Sequence, residues 1–491
     1  MVKESGITNT LVDFAVKTRY EDLPDEVVHE TKRLILDTLG CAIGGTQTQL
    51  GTIAVEVAQT IGGAGGEAVI WGTKARSSCL AAAFANAELT NSMDADETLI
   101  NFTHVCGSIV PPAIAAAERV GAAGKSLIGA VALGYDVASR VGVAMPRAEM
   151  IAGGPTDFHL ANTRNTDFAW HVFGSAAATG KVLGFSPEKM ANAFGIAGVN
   201  APINATVAIK GYTEFFPMTK YTVMGQNALV GMLGALLADR GFTGGHAILD
   251  GDYGFFRLTG IDPTFPEEMT KDLGRHWWVM EASYKPYPIN RIPQPGLDIF
   301  YDLTARHGLE PDDIKEIVYK LHPRSVGHFD HWPIDEIKSS MQFSFCFPLG
   351  FAMAAYGVEP GPDWHDPKKI NDPRIKAFAK KVRMVSDPEV FKAVYDEVGN
   401  EPRPVKKIVT TLEVFTHDGR SYYGHKEYAK GDPWFAETRM SDDELVQKFR
   451  RFTRKVLAPD AADELIGAIF RLETMSDIRS LTRLAAVSDG A

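Results

Sequence analysis

The chain has 491 residues, with 61 acidic and 50 basic side chains and a formal net charge of −11 at pH 7. Hydrophobic residues make up 45% and charged residues 23% of the sequence, which excludes disorder as the dominant state because there is ample apolar surface for a core. The acidic balance argues against broad nucleic-acid binding, which needs a basic surface, but it permits a small anionic substrate in a local basic pocket. The length predicts two or three domains.

Targeting signals and cysteine chemistry are not evident in the sequence. No uncharged apolar stretch of about 18 residues is apparent, so we predict no membrane-spanning helix. Residues 1–26 carry early acidic side chains and lack an apolar core, so we predict no signal peptide. The cysteines form neither a CxxC pair nor a Cys/His cluster, and we therefore expect no zinc site, no disulfide framework and a cytoplasmic location. The four cysteines are Cys41, Cys79, Cys106 and Cys346.

The first 275 residues have a mainly helical pattern. Asp22 followed by Pro24 is typical of a helix start, and apolar or small residues then recur at helical spacing as far as Ala42. The run 78–89 is alanine-rich and apolar on nearly all sides, which predicts a buried helix. A short strand is predicted at 68–71. Further helices are predicted at 112–120, 127–141, 174–183, 187–195 and 225–239.

The pattern changes near Trp277, where prolines begin to interrupt the chain. Residues 314–321 alternate like a half-buried strand. Residues 405–415 and 421–428 alternate in the same way around a His-Asp-Gly turn, which predicts a β-hairpin. Further helices are predicted at 295–304, at 341–355 and from Ser441 onward.

These elements predict a mostly α protein with an α+β lid. The large helical domain is formed by both chain ends, residues 1–275 and 437–491. The smaller α+β lid domain is inserted between them and comprises residues 276–436.

One polar cluster follows the alanine-rich helix and consists of Asp94, Asp96, Glu97 and His104. A carboxylate and an imidazole form a general acid/base pair when the fold brings them together. From the spacing alone, a solvated helix end with a polar loop is the commoner outcome. A metal site is a further alternative, although this spacing fits no closed metal site that we can name.

Two lysines stand in segments suited to an anion site, and one histidine stands among aromatic residues. Lys220 precedes a helix of small residues, and Lys285 lies between residues of a proline-rich segment that restricts its backbone. A lysine on the surface or in a domain-boundary loop is the commoner explanation of each. His171 lies among aromatic residues, where a histidine is more often a satisfied core residue.

Several motifs stand out by their order and spacing over most of the chain. They are residues 34–45 (LILDTLGCAIGG), 94–98 with 104–111, 174–184 (GSAAATGKVLG), 218–220, 240–243 with 251–257, 285–288 (KPYP) and 430–432 (KGD). Together they resemble the MmgE/PrpD family. The resemblance implies a helical domain built from both termini, a smaller α+β lid, a homodimer, and an active site between the domains that needs no metal and no organic cofactor.

The resemblance also implies roles for individual residues. Asp94, His104, Lys220 and Lys285 match family positions that we predict to be catalytic, and Thr98 matches a substrate-binding position.

Two departures from the family pattern bear on the substrate. Asn165 stands where the family usually has a histidine, and Phe347 stands where it often has a tyrosine. His159 or His171 could take the place of the missing histidine if the loop is rearranged, and we predict that Asn165 and His171 contact the substrate. Arg291 follows the KPYP motif and could supply a bidentate carboxylate clamp.

The function implied by the resemblance is that of a cofactor-independent lyase acting on a small di- or tricarboxylate. A proton is abstracted next to a carboxylate, and dehydration of the 2-methylcitrate dehydratase type comes first because it is the family's commonest assignment. Epimerisation or another isomerisation, decarboxylation and a non-catalytic carboxylate-binding role are alternatives. A metal-dependent hydrolase that uses Asp94, Asp96 and His104 is a further alternative.

Overall fold

The computed structural model describes most of the chain. Within the described part, helices predominate and the strands form three small sheets, so the predicted fold class is confirmed. The described residues are 6–63, 65–99, 103–145, 168–203, 217–220, 222–260, 265–330, 332–390, 392–393 and 406–487.

The helices are numbered here in chain order. Those before residue 261 are α1 (Ile7–Lys17), α2 (Asp25–Gly45), α3 (Gln49–Gly62), α4 (Cys79–Asn91), α5 (Cys106–Val120), α6 (Gly124–Val143), α7 (His171–Val182), α8 (Pro187–Val199), α9 (Thr222–Asp239) and α10 (Phe255–Thr259). Those after it are α11 (Gln294–His307), α12 (Pro323–Phe329), α13 (Ser340–Ser344), α14 (Phe347–Ala355), α15 (Pro367–Ile370), α16 (Pro373–Ala379), α17 (Asp442–Thr453), α18 (Pro459–Phe470) and α19 (Arg479–Leu484).

The strands are short in the helical part of the chain and longer in the lid. They are β1 (Ala68–Val69), β2 (Arg76–Ser77), β3 (Thr98–Leu99), β4 (Ala282–Ser283), β5 (Ile314–Leu321), β6 (Val382–Ser386), β7 (Thr410–Thr416) and β8 (Ser421–Lys426).

Both ends of the chain contribute to one apolar core, which we call the helical core. It extends from Leu11 near the N-terminus to Ala485 near the C-terminus. Helix α17 packs against α2, and α4 packs against α2, α3, α5 and α9. Because α4 has neighbours on several sides, its alanine-rich surface is buried almost throughout, as its sequence predicts.

The lid has its own apolar core, which contains side chains between Ile289 and Val414 and which we call the lid core. Its sheet has the strand order β6-β5-β7-β8, in which only the β5–β6 pair is parallel. Strand β5 has the predicted bounds, and β7 and β8 form the predicted hairpin. The domain boundaries given above remain a prediction.

Most of the predicted helices begin and end within about four residues of their predicted bounds, and two predictions differ more. The predicted helix at 341–355 is interrupted between α13 and α14, because Pro348 has no N–H to continue the hydrogen bonds of α13 and instead stands in the first turn of α14. A capping box of Ser339 and Gln342 sets the start of α13. Helix α5 begins at Cys106 rather than at Pro112, because the carboxylate of Glu97 accepts hydrogen bonds from backbone N–H groups at its start.

A two-residue strand pair joins the helical part to the start of the lid. Thr98 of β3 pairs with Ser283 of β4, and Leu99 pairs with Ala282. Since Lys285 follows Ser283 by two residues, this pairing brings Lys285 beside the loop that contains Asp94. Strands of this length give no periodic signal, and the sequence analysis did not predict them.

Helix α6 is long and apolar enough to cross a membrane by length and composition alone. In the structure, 89% of its most apolar window is buried inside the molecule, as expected of a core helix.

Gly431 lies against the segment that carries Lys285, and a substitution there tests this packing. Its φ is +100°, and a Cβ would lie 1.8 Å from the carbonyl oxygen of Tyr284. We expect Gly431→Ala to combine backbone strain of about 1–2 kcal/mol with overpacking of about 1–3 kcal/mol.

The matched control is Gly419→Ala in the hairpin turn, where φ is +90° but no atom lies within 4 Å of the added Cβ. Urea denaturation should show that Gly431→Ala lowers the free energy of unfolding more than Gly419→Ala does. Equal losses in the two variants would contradict the close approach to Tyr284.

Candidate active site

Asp94 lies at the centre of the polar cluster and is fully buried. It follows the end of α4 and has a φ of +51°, in the left-handed region that residues other than glycine rarely adopt. Such a conformation persists only where the surrounding structure holds it, and it often occurs at functional sites.

Lys285 is also fully buried and reaches Asp94 from the start of the lid. Its Nζ lies 2.6 Å from Oδ1 of Asp94 and also donates to the backbone carbonyl of Asp94. The ammonium group therefore neutralises the carboxylate and fixes the backbone of the same residue.

Lys220 approaches the other oxygen of Asp94. It ends the 3-10 turn Met218–Lys220, its side chain is 6% exposed, and its Nζ lies 3.9 Å from Oδ2 of Asp94. The same ammonium group lies 5.3 Å from the ring centroid of Phe345, a lid residue, in cation–π geometry. Lys220 thus lies between the helical part and the lid.

His104 lies between two carboxylates. Its Nε2 is 3.2 Å from Oδ1 of Asp94, and its Nδ1 is 3.2 Å from Oδ1 of Asp96, an ion-pair contact rather than an aligned hydrogen bond. Asn91 donates to the same Asp96 oxygen at 2.7 Å and fixes its position. Each imidazole nitrogen therefore faces an acceptor, as suits the doubly protonated imidazolium form.

The charges in this cluster determine one another's protonation. Burial alone would raise the pKa of Asp94, but Lys285 and Lys220 outweigh burial and hold it well below its usual range. Burial likewise opposes ionisation of Asp96, whose pKa is lowered by His104. Burial and the positive charge of Lys285 each lower the pKa of His104. The carboxylates of Asp94 and Asp96 outweigh these two effects, so the pKa of His104 is raised. His104 is thus favoured as a cation.

This arrangement suits an anionic substrate. Of the five groups in this cluster, Lys220, Lys285 and His104 are cationic and Asp94 and Asp96 are anionic, so the set carries one positive charge in excess. A substrate carboxylate can balance that charge in a site sheltered from water, where such interactions are strong.

The same residues fit a resident divalent metal poorly. Asp94, Asp96 and His104 offer ligand atoms within 4.8 Å of one another. However, a metal needs a lone pair from His104, whose two nitrogens both face carboxylates, and Lys285 already lies 2.6 Å from Asp94. The geometry favours paired charges over the hydrolase alternative.

Glu97 and Thr98 continue the loop beyond Asp96. Glu97 accepts hydrogen bonds from the N–H groups of Val105 and Cys106 at the start of α5, and burial raises its pKa to about 7. Thr98 is 2% exposed, and its hydroxyl has no hydrogen-bond partner among the described residues. Thr98 therefore retains a free polar group beside the cluster, consistent with its predicted contact to substrate.

His171 lies in the core close to His104. Its Nδ1 is 3.1 Å from the hydroxyl of Ser108, and its Nε2 has no hydrogen-bond partner among the described residues. Burial and the charge of His104 hold the pKa of His171 well below its usual range, so it is neutral. Its predicted contact with substrate remains a prediction.

The structure gives different surroundings to the remaining predicted residues. Arg291 is buried against the carboxylate of Asp432, which also accepts a hydrogen bond from Ser283 at 2.7 Å. Because this guanidinium already has a protein carboxylate beside it, the geometry does not support Arg291 as the substrate clamp. Phe347 is fully buried in the lid core, whereas Phe345 contacts Lys220. Asn165 and the neighbouring His159 lie outside the described residues.

His365 is a buried lid residue that the sequence analysis missed. Its Nε2 donates to the carbonyl of Pro288 at 2.9 Å, and its Nδ1 accepts from the hydroxyl of Ser340 at 2.7 Å. Burial lowers its pKa to about 4, so this imidazole is neutral. His365 thereby links the segment after Lys285 to the rest of the lid. A single histidine among short helical turns gave no sequence signal for this role.

Comparison with known proteins identifies two matching domains. The MmgE/PrpD N-terminal domain matches residues 9–268, and the MmgE/PrpD C-terminal domain matches residues 287–473. The cis-aconitate decarboxylase of Homo sapiens is 27% identical over 481 residues, with 94% of this chain and 91% of the relative covered. That of Mus musculus is 27% identical, with 98% and 93% covered. That of Aspergillus terreus is 23% identical, with 98% and 96% covered.

Removing the charge of Asp96 tests the electrostatic account of His104. We expect Asp96→Asn to lower the pKa of His104, since a neutral amide no longer stabilises the imidazolium. NMR titration of labelled histidine measures this pKa directly. Asp13→Asn, which removes an exposed acid on α1, is the control and should leave it unchanged. An unaltered pKa in Asp96→Asn would contradict the account.

Proposed function

This chain belongs to the MmgE/PrpD family, and from that premise we propose that it is a cofactor-independent lyase that decarboxylates a small unsaturated di- or tricarboxylate. The first substrate to consider is cis-aconitate, the acid named for the relatives compared above. The proposal keeps the lyase class and carboxylate substrate predicted from the sequence, but replaces dehydration with decarboxylation as the leading reaction.

The observation that carries the proposal is the paired His104. An imidazole between two buried carboxylates favours its protonated form, so it can donate a proton. Two ammonium groups lie beside the same Asp94 and can bind the carboxylates of a substrate. The cluster therefore combines an acid with anion-binding groups.

These groups can perform decarboxylation in one balanced sequence. The bond between a substrate carboxylate and its carbon breaks, and CO₂ leaves. The electron pair remains on the carbon skeleton and is delocalised toward a second carboxylate, whose oxygens Lys220 and Lys285 stabilise. His104 then gives a proton to the carbon, and solvent restores the proton to His104. We propose that the Thr98 hydroxyl hydrogen-bonds a substrate oxygen.

Dehydration places a different demand on the site. It requires a base that removes a C–H proton, and the strongly lowered pKa of Asp94 makes this carboxylate a weak base. The relatives compared above give no support to the specific 2-methylcitrate dehydratase assignment. Decarboxylation uses the protonation states that the cluster favours.

Three further proposals come from the sequence and its family resemblance. We propose that the protein works without a metal or organic cofactor, that it is a homodimer, and that it is cytoplasmic. Light scattering of the purified protein measures the oligomeric state.

The reaction is tested by incubating the enzyme with cis-aconitate in D₂O. We expect release of CO₂ and incorporation of one solvent deuteron on carbon for each turnover, because the proton comes from an exchangeable imidazole. Headspace analysis measures the released CO₂, and NMR of the product measures the incorporated deuterium. 2-Methylcitrate, citrate, malate and iminodisuccinate are tested in parallel. Faster dehydration of 2-methylcitrate, or no turnover of any acid, would overturn the proposal.

The two ammonium groups are tested separately from the choice of acid. Lys220→Met and Lys285→Met should each lower kcat/KM by about 10²-fold or more, as expected when a stabiliser of developing charge is removed. Lys17→Met, at an exposed lysine of α1, is the control and should be fully active. Circular dichroism confirms folding. Wild-type kinetics in folded Lys220→Met and Lys285→Met would contradict their assignment.

A further inference from the structure

Helix α17, in the C-terminal segment, carries a buried lysine that contacts the loop of residues 92–97 after α4, which we call the active-site loop. The side chain of Lys448 is 2% exposed. Its Nζ donates to the backbone carbonyl of Ala95 at 2.7 Å and to Oδ1 of Asp37, on α2, at 2.5 Å. One ammonium group thus links α17, α2 and the loop.

Ala95 lies between the two aspartates that flank His104. Its carbonyl is fixed by Lys448, and its side chain belongs to a buried apolar cluster with Met93, Cys41 and Phe452. Phe452 is one helical turn beyond Lys448 on α17. The loop is therefore held through its backbone by Lys448 and through the side chain of Ala95 by this apolar cluster.

The lysine–aspartate pair is difficult to explain by stability alone. Burying two charges costs desolvation energy, and an apolar pair of similar size is often as stable or more stable. Oδ2 of Asp37 has no hydrogen-bond partner among the described residues, so the pair is not fully compensated. What an apolar pair could not supply is the hydrogen bond to the Ala95 carbonyl.

We propose that Lys448 is a positioning residue: held by Asp37, it fixes the carbonyl of Ala95 and thereby the directions of Asp94 and Asp96 around His104. It does not touch the substrate. The left-handed backbone of Asp94 is not maintained by local preference, and it is supported by Lys285 at the carbonyl of Asp94 and by Lys448 at the carbonyl of Ala95. Only the kinetic part of the proposal rests on the proposed function.

The test separates positioning from stability with three variants. Lys448→Met removes the donor and leaves Asp37 as a buried carboxyl group without its cationic partner, and burial already raises the pKa of Asp37. Asp37→Leu/Lys448→Met removes the donor without leaving such a buried polar group. Arg450→Met, at an exposed residue of the same helix, is the matched control. Unfolding by urea, kcat and KM on the acid that the wild type turns over, and the pKa of His104 without substrate are measured for each.

We expect Lys448→Met to lower kcat by about tenfold to 10²-fold, as a misplaced catalytic group does, with KM changed by less than about threefold. The charged and titratable groups around His104 include Asp94, Asp96, Lys285 and His171, with Lys220 on the other oxygen of Asp94 and Glu97 next to Asp96. Because the two aspartates would turn away, the pKa of His104 should fall in both variants that lack Lys448. Arg450→Met should match the wild type.

The double variant decides between the two roles. If Lys448 positions the loop, Asp37→Leu/Lys448→Met regains stability while kcat and the pKa of His104 stay low. If kcat and the pKa of His104 return to their wild-type values in the double variant together with stability, the proposal is overturned. Should Lys448→Met fail to fold, the double variant alone carries the test. If the wild type turns over no acid, the proposed function fails, and the His104 titration still decides the role of Lys448.

Discussion

A fully buried carboxylate that pairs with three cationic side chains is the interaction on which the site depends. Burying the charge of Asp94 without a partner would cost several kcal/mol of desolvation free energy, on the order given for a buried ion. Lys285, Lys220 and His104 compensate it, and each comes from a different segment of the chain. The same pairing sets the chemistry, because Asp94 and Asp96 favour the protonated form of His104 and the two lysines keep Asp94 ionised.

The fold explains how such distant residues meet. The helical core is built from both chain ends, which brings α17 against the active-site loop, and the β3–β4 pair brings the start of the lid to the same loop. The loop is thus held between two parts of the chain that are far apart in sequence. His365 and Phe345 extend the contact into the lid, beside Pro288 and Lys220 respectively.

Sequence analysis predicted those features that depend on local pattern or residue type. Strand β5 and the hairpin show clear alternation, and the loop acids and lysines stand out because such residues suit acid/base and anion chemistry. Features that depend on tertiary contact were not predictable. Arg291 is paired with Asp432, 141 residues away, and nothing local marks Lys448 as a buried contact of Ala95.

Neutron diffraction from crystals of the deuterium-exchanged protein at neutral pH tests the central claim most directly, because it locates deuterons on the buried groups themselves. The account predicts deuterium on both Nδ1 and Nε2 of His104, three deuterons on Nζ of Lys285 and none on the carboxylate of Asp94. A singly protonated His104, or a protonated Asp94, would contradict it.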